Sequence, residues 1–266
     1  MKVTEINIYP IKSTRRIALQ QSAVLPRGLP WDRRWMLVDA QGRFITARQH
    51  PTLAMVQTDV KDPVVQVSAE GRKPLLLPLR PPDGQITCVT VWQDSCDAVL
   101  AGAEADAWFS DYLGFSCRLV QMTDELVRAV NPDYAQAGDE VSFADGFPLL
   151  LISEASLNDL NSRLQDPVSM RRFRPNLVVD GEGAYEEDRW RRIRVGDVEF
   201  EGVKNCSRCV VTTIDPDTGV KDPNKEPLRT LGSYRRQPQG GVYFGQNLIP
   251  RSGGMIHVGD RVEILV

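Results

Sequence analysis

Cys206 and Cys209 stand three residues apart in "VKNCSRCVVTTIDPDTG", with Arg208 directly before Cys209 and Lys204 just upstream. Such a pair serves as half of a structural zinc site, as a redox disulfide, or as a packed pair with one functional thiolate. Zinc needs two more ligands, and the sequence has no second Cys-x-x-Cys and no Cys/His cluster. A thioredoxin-like pair sits between a strand and a helix N-terminus, whereas the β-branched "VVTTI" that follows here reads as extended. Cationic neighbours favour the thiolate, the form that binds metals. Two small core residues at the start of a strand are the bland alternative.

A second chemistry is carried by cations in apolar settings. Lys12 follows "IYPI", Arg33 and Arg34 adjoin Trp31 and Trp35, Arg48 ends "FITAR", and Arg171, Arg172 and Arg174 bracket Phe173. Buried cations need anionic partners. Any one of these residues, taken alone, reads first as an internal salt bridge or a snorkelling side chain. Together they point to a convergent anion pocket, with Arg forks suited to a phosphate and Lys12 with Ser13 adding a point charge and a hydroxyl. No GxxxxGK[ST] or GxGxxG is present, so neither a P-loop nor a dinucleotide fold supplies it.

Mostly strands must position these groups. "VTEINI" alternates with the strand period, "WMLVDAQGRFIT" reads as a hairpin turning at Asp39–Gly42, and "VVQVSAEGRKPLLL" and "ITCVTVW" add strand-like pieces. Ala105, Trp108, Phe109 and Tyr112 fall at helical spacing, with Gly114 as the stop. "LLLISEASLNDLNSRL" reads as a buried strand entering a helix capped by Ser153. "IRVGDVEF" and "IHVGDRVEI" both look like hairpins, and the turn-rich 129–148 stretch and "DGEGAYEEDRW" are candidate walls of a site. The expected architecture is mainly β with a few helices, built of barrels or curled sheets, with a boundary near residue 118 separating domains at 1–118 and 119–266.

Composition bounds the partners. The 266 residues are 42% hydrophobic, and 32 basic against 35 acidic side chains leave a net charge of -3, which gives no reason to expect a nucleic acid polymer. Five cysteines and two histidines form neither a disulfide framework nor an HExxH site. "MKVTEINIYPIKS" has no apolar h-region and no membrane span, so a cytoplasmic protein with no membrane association is expected.

"YPIKS", "DRRWMLVD", "FITARQHP", "ISEASLNDLNSRL", "FRPN", "CSRCVVTTIDPDTG", "KEPLRTL", "YFGQN" and "VGDRVEIL" resemble, in this order, the MOSC family of molybdenum cofactor proteins, nearest to its amidoxime-reducing branch and bacterial YcbX-type relatives. The resemblance covers essentially the whole chain and implies a MOSC-associated N-terminal β domain followed by the MOSC β-barrel. It implies a molybdenum-pterin in which Cys209 is the protein's thiolate ligand, a soft donor suited to a redox-active metal. Cys206 is left with packing or local support. Lys12, Ser13, Arg33, Arg174, Ser207 and Arg208 match positions that hold the pterin and its phosphate, Asn247 matches a less regular one, and Asp145 matches an acidic position suited to proton delivery. Arg34, Arg48 and Asn176 form a second tier.

The implied activity is reduction of N-oxygenated small molecules, such as hydroxylamines, N-hydroxylated bases and amidoximes, by removal of the oxygen as water with two electrons and two protons. Some relatives carry a C-terminal iron–sulfur domain that this sequence lacks, so electrons are expected from a separate ferredoxin, flavoprotein reductase or cytochrome. A cofactor carrier or sulfur-transfer protein, as in the sulfurase branch of the family, is the alternative. Pyridoxal phosphate binding is a further attribute carried at the level of the family.

Overall fold

In the computed structural model, all residues are described except 82–83, 182 and 239. The alternation of "VTEINI" produces the strand Val3–Ile8, which buries Val3, Ile6 and Ile8. This strand joins an eight-stranded sheet with the order Val262–Ile264, Arg192–Val195, Val198–Ser207, Tyr243–Pro250, Leu149–Ser153, Leu177–Val179, Val3–Ile8 and Ile17–Leu19. All neighbours are antiparallel except Leu149–Ser153 with Leu177–Val179.

The continuous apolar run "LLLIS" is explained by burial on both faces of that sheet. Leu149 and Leu151 enter a core with Ile6, Phe200 and Leu248, whereas Leu150 and Ile152 pack with Phe173, Phe244, Leu160 and Leu231. Leu160 comes from the helix Glu154–Ser162, where the Ser153 hydroxyl accepts from the Ser156 N–H as an N-cap. Leu231 comes from Leu228–Tyr234, a short helix the sequence did not announce.

A five-stranded sheet runs Phe44–Ile45, Trp35–Val38, Arg118–Gln121, Asp94–Leu100 and Ile86–Val91, and a three-stranded one joins Gln57–Lys61, Val64–Ser68 and Leu75–Pro78. The helix Ala103–Leu113 covers their shared core through Ala105 and Phe109 and ends at Gly114, whose φ of 77° makes the left-handed cap. The protein is therefore mainly β with a few helices. Among the described residues no helix is long and apolar enough to cross a membrane.

Two local expectations fail, each for a physical reason. "VVTTI" is not extended, because Val210–Thr213 closes a 3-10 turn in which the Thr212 and Thr213 hydroxyls donate to the carbonyls of Cys209 and Val210. Local side-chain bonds of this kind overrule a β-branched propensity. "IRVGDVEF" does form a hairpin, but "IHVGDRVEI" does not. Asp260 accepts from the His257 N–H and turns the chain, so Gly254–His257 pairs with Gln21–Val24 while Val262–Ile264 pairs with Arg192–Val195.

Candidate functional site

The long strand Val198–Ser207 is bent by register shifts at Gly202/Lys204 and Asn205/Ser207, the kind of bulge that re-aims side chains. Gly202 is needed at the first of these, since a Cβ there would lie 2.0 Å from the Trp190 carbonyl oxygen. The strand thus delivers Cys206 and Ser207 to its end, and the following 3-10 turn starts at Cys209. Both cysteines open onto one cavity of about 140 Å³.

That cavity is also lined by Lys12, Ser13, Arg33, Arg174, Ser207, Arg208, Asn247 and Asp145, so one cleft collects all the first-tier residues named from the sequence. Arg48 and Asn176 line it as well. Arg34 does not, being buried in an ion pair with Asp124 at 2.6 Å. The 129–148 stretch contributes Ala144 to Phe147. "DGEGAYEEDRW" contributes no lining residue among those described, because Tyr185 is drawn away onto Phe244 and its hydroxyl bonds Asp159 and Tyr234.

Backbone strain gathers at the same place. Ser13, Arg33 and Arg174 have φ of 77°, 49° and 59°, a region that costs non-glycine residues energy and persists where surroundings impose it. The imposing contacts are visible. The Ala47 N–H donates to the Ser13 hydroxyl at 3.0 Å, and Arg33 donates to Asp32 at 2.5 Å, to Asn176 at 2.9 Å and to the Arg174 carbonyl at 3.1 Å. The guanidiniums of Arg33 and Arg174 both lie over the Tyr9 ring, at 4.2 and 4.1 Å from its centroid.

The cleft is electrostatically incomplete. Among the described residues Arg174 hydrogen-bonds only the Thr14 carbonyl, at 2.7 Å, and Arg208 donates to the Phe173 carbonyl at 2.6 Å and the Cys206 sulfur at 2.9 Å. Neither forms an ion pair among the described residues. The Arg208 Nε is buried with no protein partner there, and burial pulls the Arg174 guanidinium down to about 10. Cations left in this condition fit an anion held between them.

On the opposite wall the buried Lys12 ammonium donates to the Phe143 carbonyl and to Asp145, both at 2.6 Å. Burial draws Lys12 below its ordinary value, and Asp145 restores part of that loss. Partial desolvation raises the Asp145 carboxyl, but Lys12 and Arg48 outweigh it and hold the group well below the usual carboxylate range. Arg48 donates from Nε and Nη2 to the Cys209 sulfur at 3.4 and 3.3 Å. Cys206 lines the cleft as well, but also packs against the apolar cluster that holds Phe173 and Phe244.

Two contributors carried no signal in the sequence. Arg128, 4% exposed, braces the Asp145 loop through the carbonyls of Ser142 and Ala144 while pairing with Asp94. Trp92 reaches both Asp145 and Arg48 from a hairpin tip. No group of three or more His, Cys, Asp or Glu able to hold a metal ion occurs among the described residues.

Residues 1–116 match the MOSC N-terminal beta barrel domain, and residues 138–263 match the MOSC domain. Similar proteins include mitochondrial amidoxime-reducing component 1 of Mus musculus, 38% identical over 99% of this chain and 82% of its own length. Mitochondrial amidoxime reducing component 2 of Rattus norvegicus is 38% identical over 99% and 83%, and component 1 of Homo sapiens 35% over 99% and 82%. The mitochondrial relatives overturn the expected cytoplasmic location. The missing h-region and apolar span on which that expectation rested speak to secretion and membrane insertion, not to sorting into an organelle.

Proposed function

This chain belongs to the MOSC-domain family of the amidoxime-reducing components, and from that premise we propose that it is a molybdenum cofactor-dependent reductase of N-oxygenated small molecules. The observation that carries the reading is the cleft itself: Cys209, with Cys206 beside it, lines a cavity whose cations Arg174 and Arg208 have no carboxylate partner among the described residues. A pterin phosphate would supply the missing anion, and the residues present fit it. The division we propose, an N-terminal β domain over 1–118 and a MOSC domain over 119–266, is one of sequence blocks, since Val3–Ile8 and Ile17–Leu19 lie in the sheet of the second block and Arg118–Gln121 in a sheet of the first.

In this reading Cys209 holds the metal, Arg33, Arg174 and Arg208 hold the phosphate, and Lys12, Ser13, Ser207 and Asn247 fix the pterin. When bound, the group supplies the two-electron chemistry that breaks an N–O bond. The protein binds, orients and handles protons. Because Lys12 keeps Asp145 ionised, the carboxylate serves to orient a proton donor in the cleft, while the buried Lys12 ammonium holds the proton. Electrons come from a separate redox protein of the ferredoxin, flavoprotein reductase or cytochrome class.

The test is turnover of benzamidoxime by metal-loaded protein with a chemical electron donor. Formation of one benzamidine per two electrons supports the reductase. Stoichiometric metal without product refutes it in favour of a cofactor carrier.

A further inference from the structure

Ile86–Val91 and Asp94–Leu100 form a hairpin whose loop is only two residues, Trp92 and Gln93, between the paired Val91 and Asp94. The first residue of such a loop is a place for Gly, Asn or Asp when its φ is positive. Here it is a tryptophan with φ of 59°, and its side chain is left 42% exposed. The backbone is strained and the ring joins none of the buried apolar clusters, so core packing does not account for the residue.

Its contacts all point one way. The indole N–H donates to Asp145 Oδ1 at 3.3 Å, the Arg48 guanidinium lies 3.9 Å from the ring centroid, and Phe44 supports the ring at 5.1 Å. Arg48 is the residue that donates twice to the Cys209 sulfur, and its Nη2 also stands 3.8 Å from Asp145 Oδ2. The hairpin tip is itself tied to the Asp145 loop, because Asp94 pairs with Arg128 and Arg128 donates to the Ser142 and Ala144 carbonyls.

We infer that Trp92 is a positioning residue, one that clamps Arg48 onto the Cys209 sulfur and fixes the Asp145 carboxylate opposite it. The inference rests on the reading that Cys209 is the metal ligand. Donors to a ligand sulfur tune the metal it binds, and their own supports matter nearly as much as the ligand. Trp92 itself is outside the cavity lining, so it acts through Arg48 and Asp145 and not on substrate.

The test compares Trp92→Gly with Trp92→Phe. Glycine suits the positive φ, so W92G should melt within about 4 °C of the parent, the shift expected of a small stability change. Its kcat should fall about tenfold per bound metal, as misplacement near a reacting centre does, with KM within about twofold. In metal-free protein the Arg48 Nε–H resonance, assigned by its loss in R48K, should move toward its solvent-exposed position. W92F keeps the ring over Arg48 and should recover the resonance, but it lacks the indole N–H to Asp145 and should recover kcat only in part. An unchanged Arg48 resonance and unchanged kcat in W92G would overturn the assignment. So would a large loss of melting temperature with kcat per metal intact, which is the signature of a merely structural residue. If the parent shows no turnover, the reductase reading fails, while the Arg48 resonance still decides whether Trp92 positions it.

Discussion

Lys12 and Asp145 meet at 2.6 Å, the ammonium 7% exposed and the carboxylate 65% exposed, so that one partner is buried and the other looks into the cleft. The pair sets the protonation state of that wall. A carboxyl whose folded pKa lies below its unfolded one adds stability that is present above the unfolded value and lost as pH falls through the folded one. Asp145 is such a group. Asp145→Asn should therefore remove part of the acid limb of the stability profile below about pH 4, by about 1 kcal/mol after allowance for its exposure. Urea midpoints between pH 3 and 6 check this, and coincident acid limbs for parent and variant would refute it.

Glu187 should behave with the opposite sign. It is fully buried and accepts from the Ser153 N–H and from the Ser153 and Ser156 hydroxyls at 2.9–3.2 Å, which ties the segment before Trp190 to the capped end of a helix. Burial pushes its carboxyl up, beyond what those bonds restore. Its contribution is full below the unfolded value and is lost as pH rises through the raised folded one. Glu187→Gln should flatten that decline, whereas Glu187→Ala should cost about 2–3 kcal/mol by leaving buried donors unpaired. Equal pH slopes for the parent and Glu187→Gln in urea unfolding would contradict the assignment.

Arg174 and Arg208 should govern anion affinity in metal-free protein. Each has donors to spare and no carboxylate partner among the described residues, and a charge-assisted hydrogen bond to phosphate is worth about 1.5–3 kcal/mol. Arg174→Ala and Arg208→Ala should each weaken inorganic pyrophosphate binding at least about tenfold by calorimetry. Arg34→Ala, altered outside the cleft, should leave it unchanged; a comparable loss there would show that the anion is not bound in the cleft.

What could be read from the sequence was what is local or carried by residue type. The Asp39–Gly42 turn, the Gly114 stop and the Ser153 cap are decided within a few residues, and each forms as expected. The cleft residues were found because ordered motifs named them and because cations in apolar surroundings are conspicuous. Pairing across the chain was not readable. Nothing in "IHVGDRVEI" says that its halves enter different sheets, and nothing in "ITCVTVW" says that its tryptophan reaches Arg48 and Asp145, since both depend on partners far away in sequence. "VVTTI" misled because β-branched residues favour strands until their hydroxyls find a nearby carbonyl.

Both cysteines line the cleft, but Cys206 also packs against the apolar cluster that holds Phe173 and Phe244 and accepts from Arg208, whereas Cys209 accepts twice from Arg48. The most direct measurement is molybdenum per chain, by elemental analysis, in parent, Cys209→Ala and Cys206→Ala proteins made in a cofactor-competent host. The account predicts near-stoichiometric metal in the parent, near-total loss in Cys209→Ala and substantial retention in Cys206→Ala. Metal retained by Cys209→Ala at the parent's level, or lost only from Cys206→Ala, would contradict it.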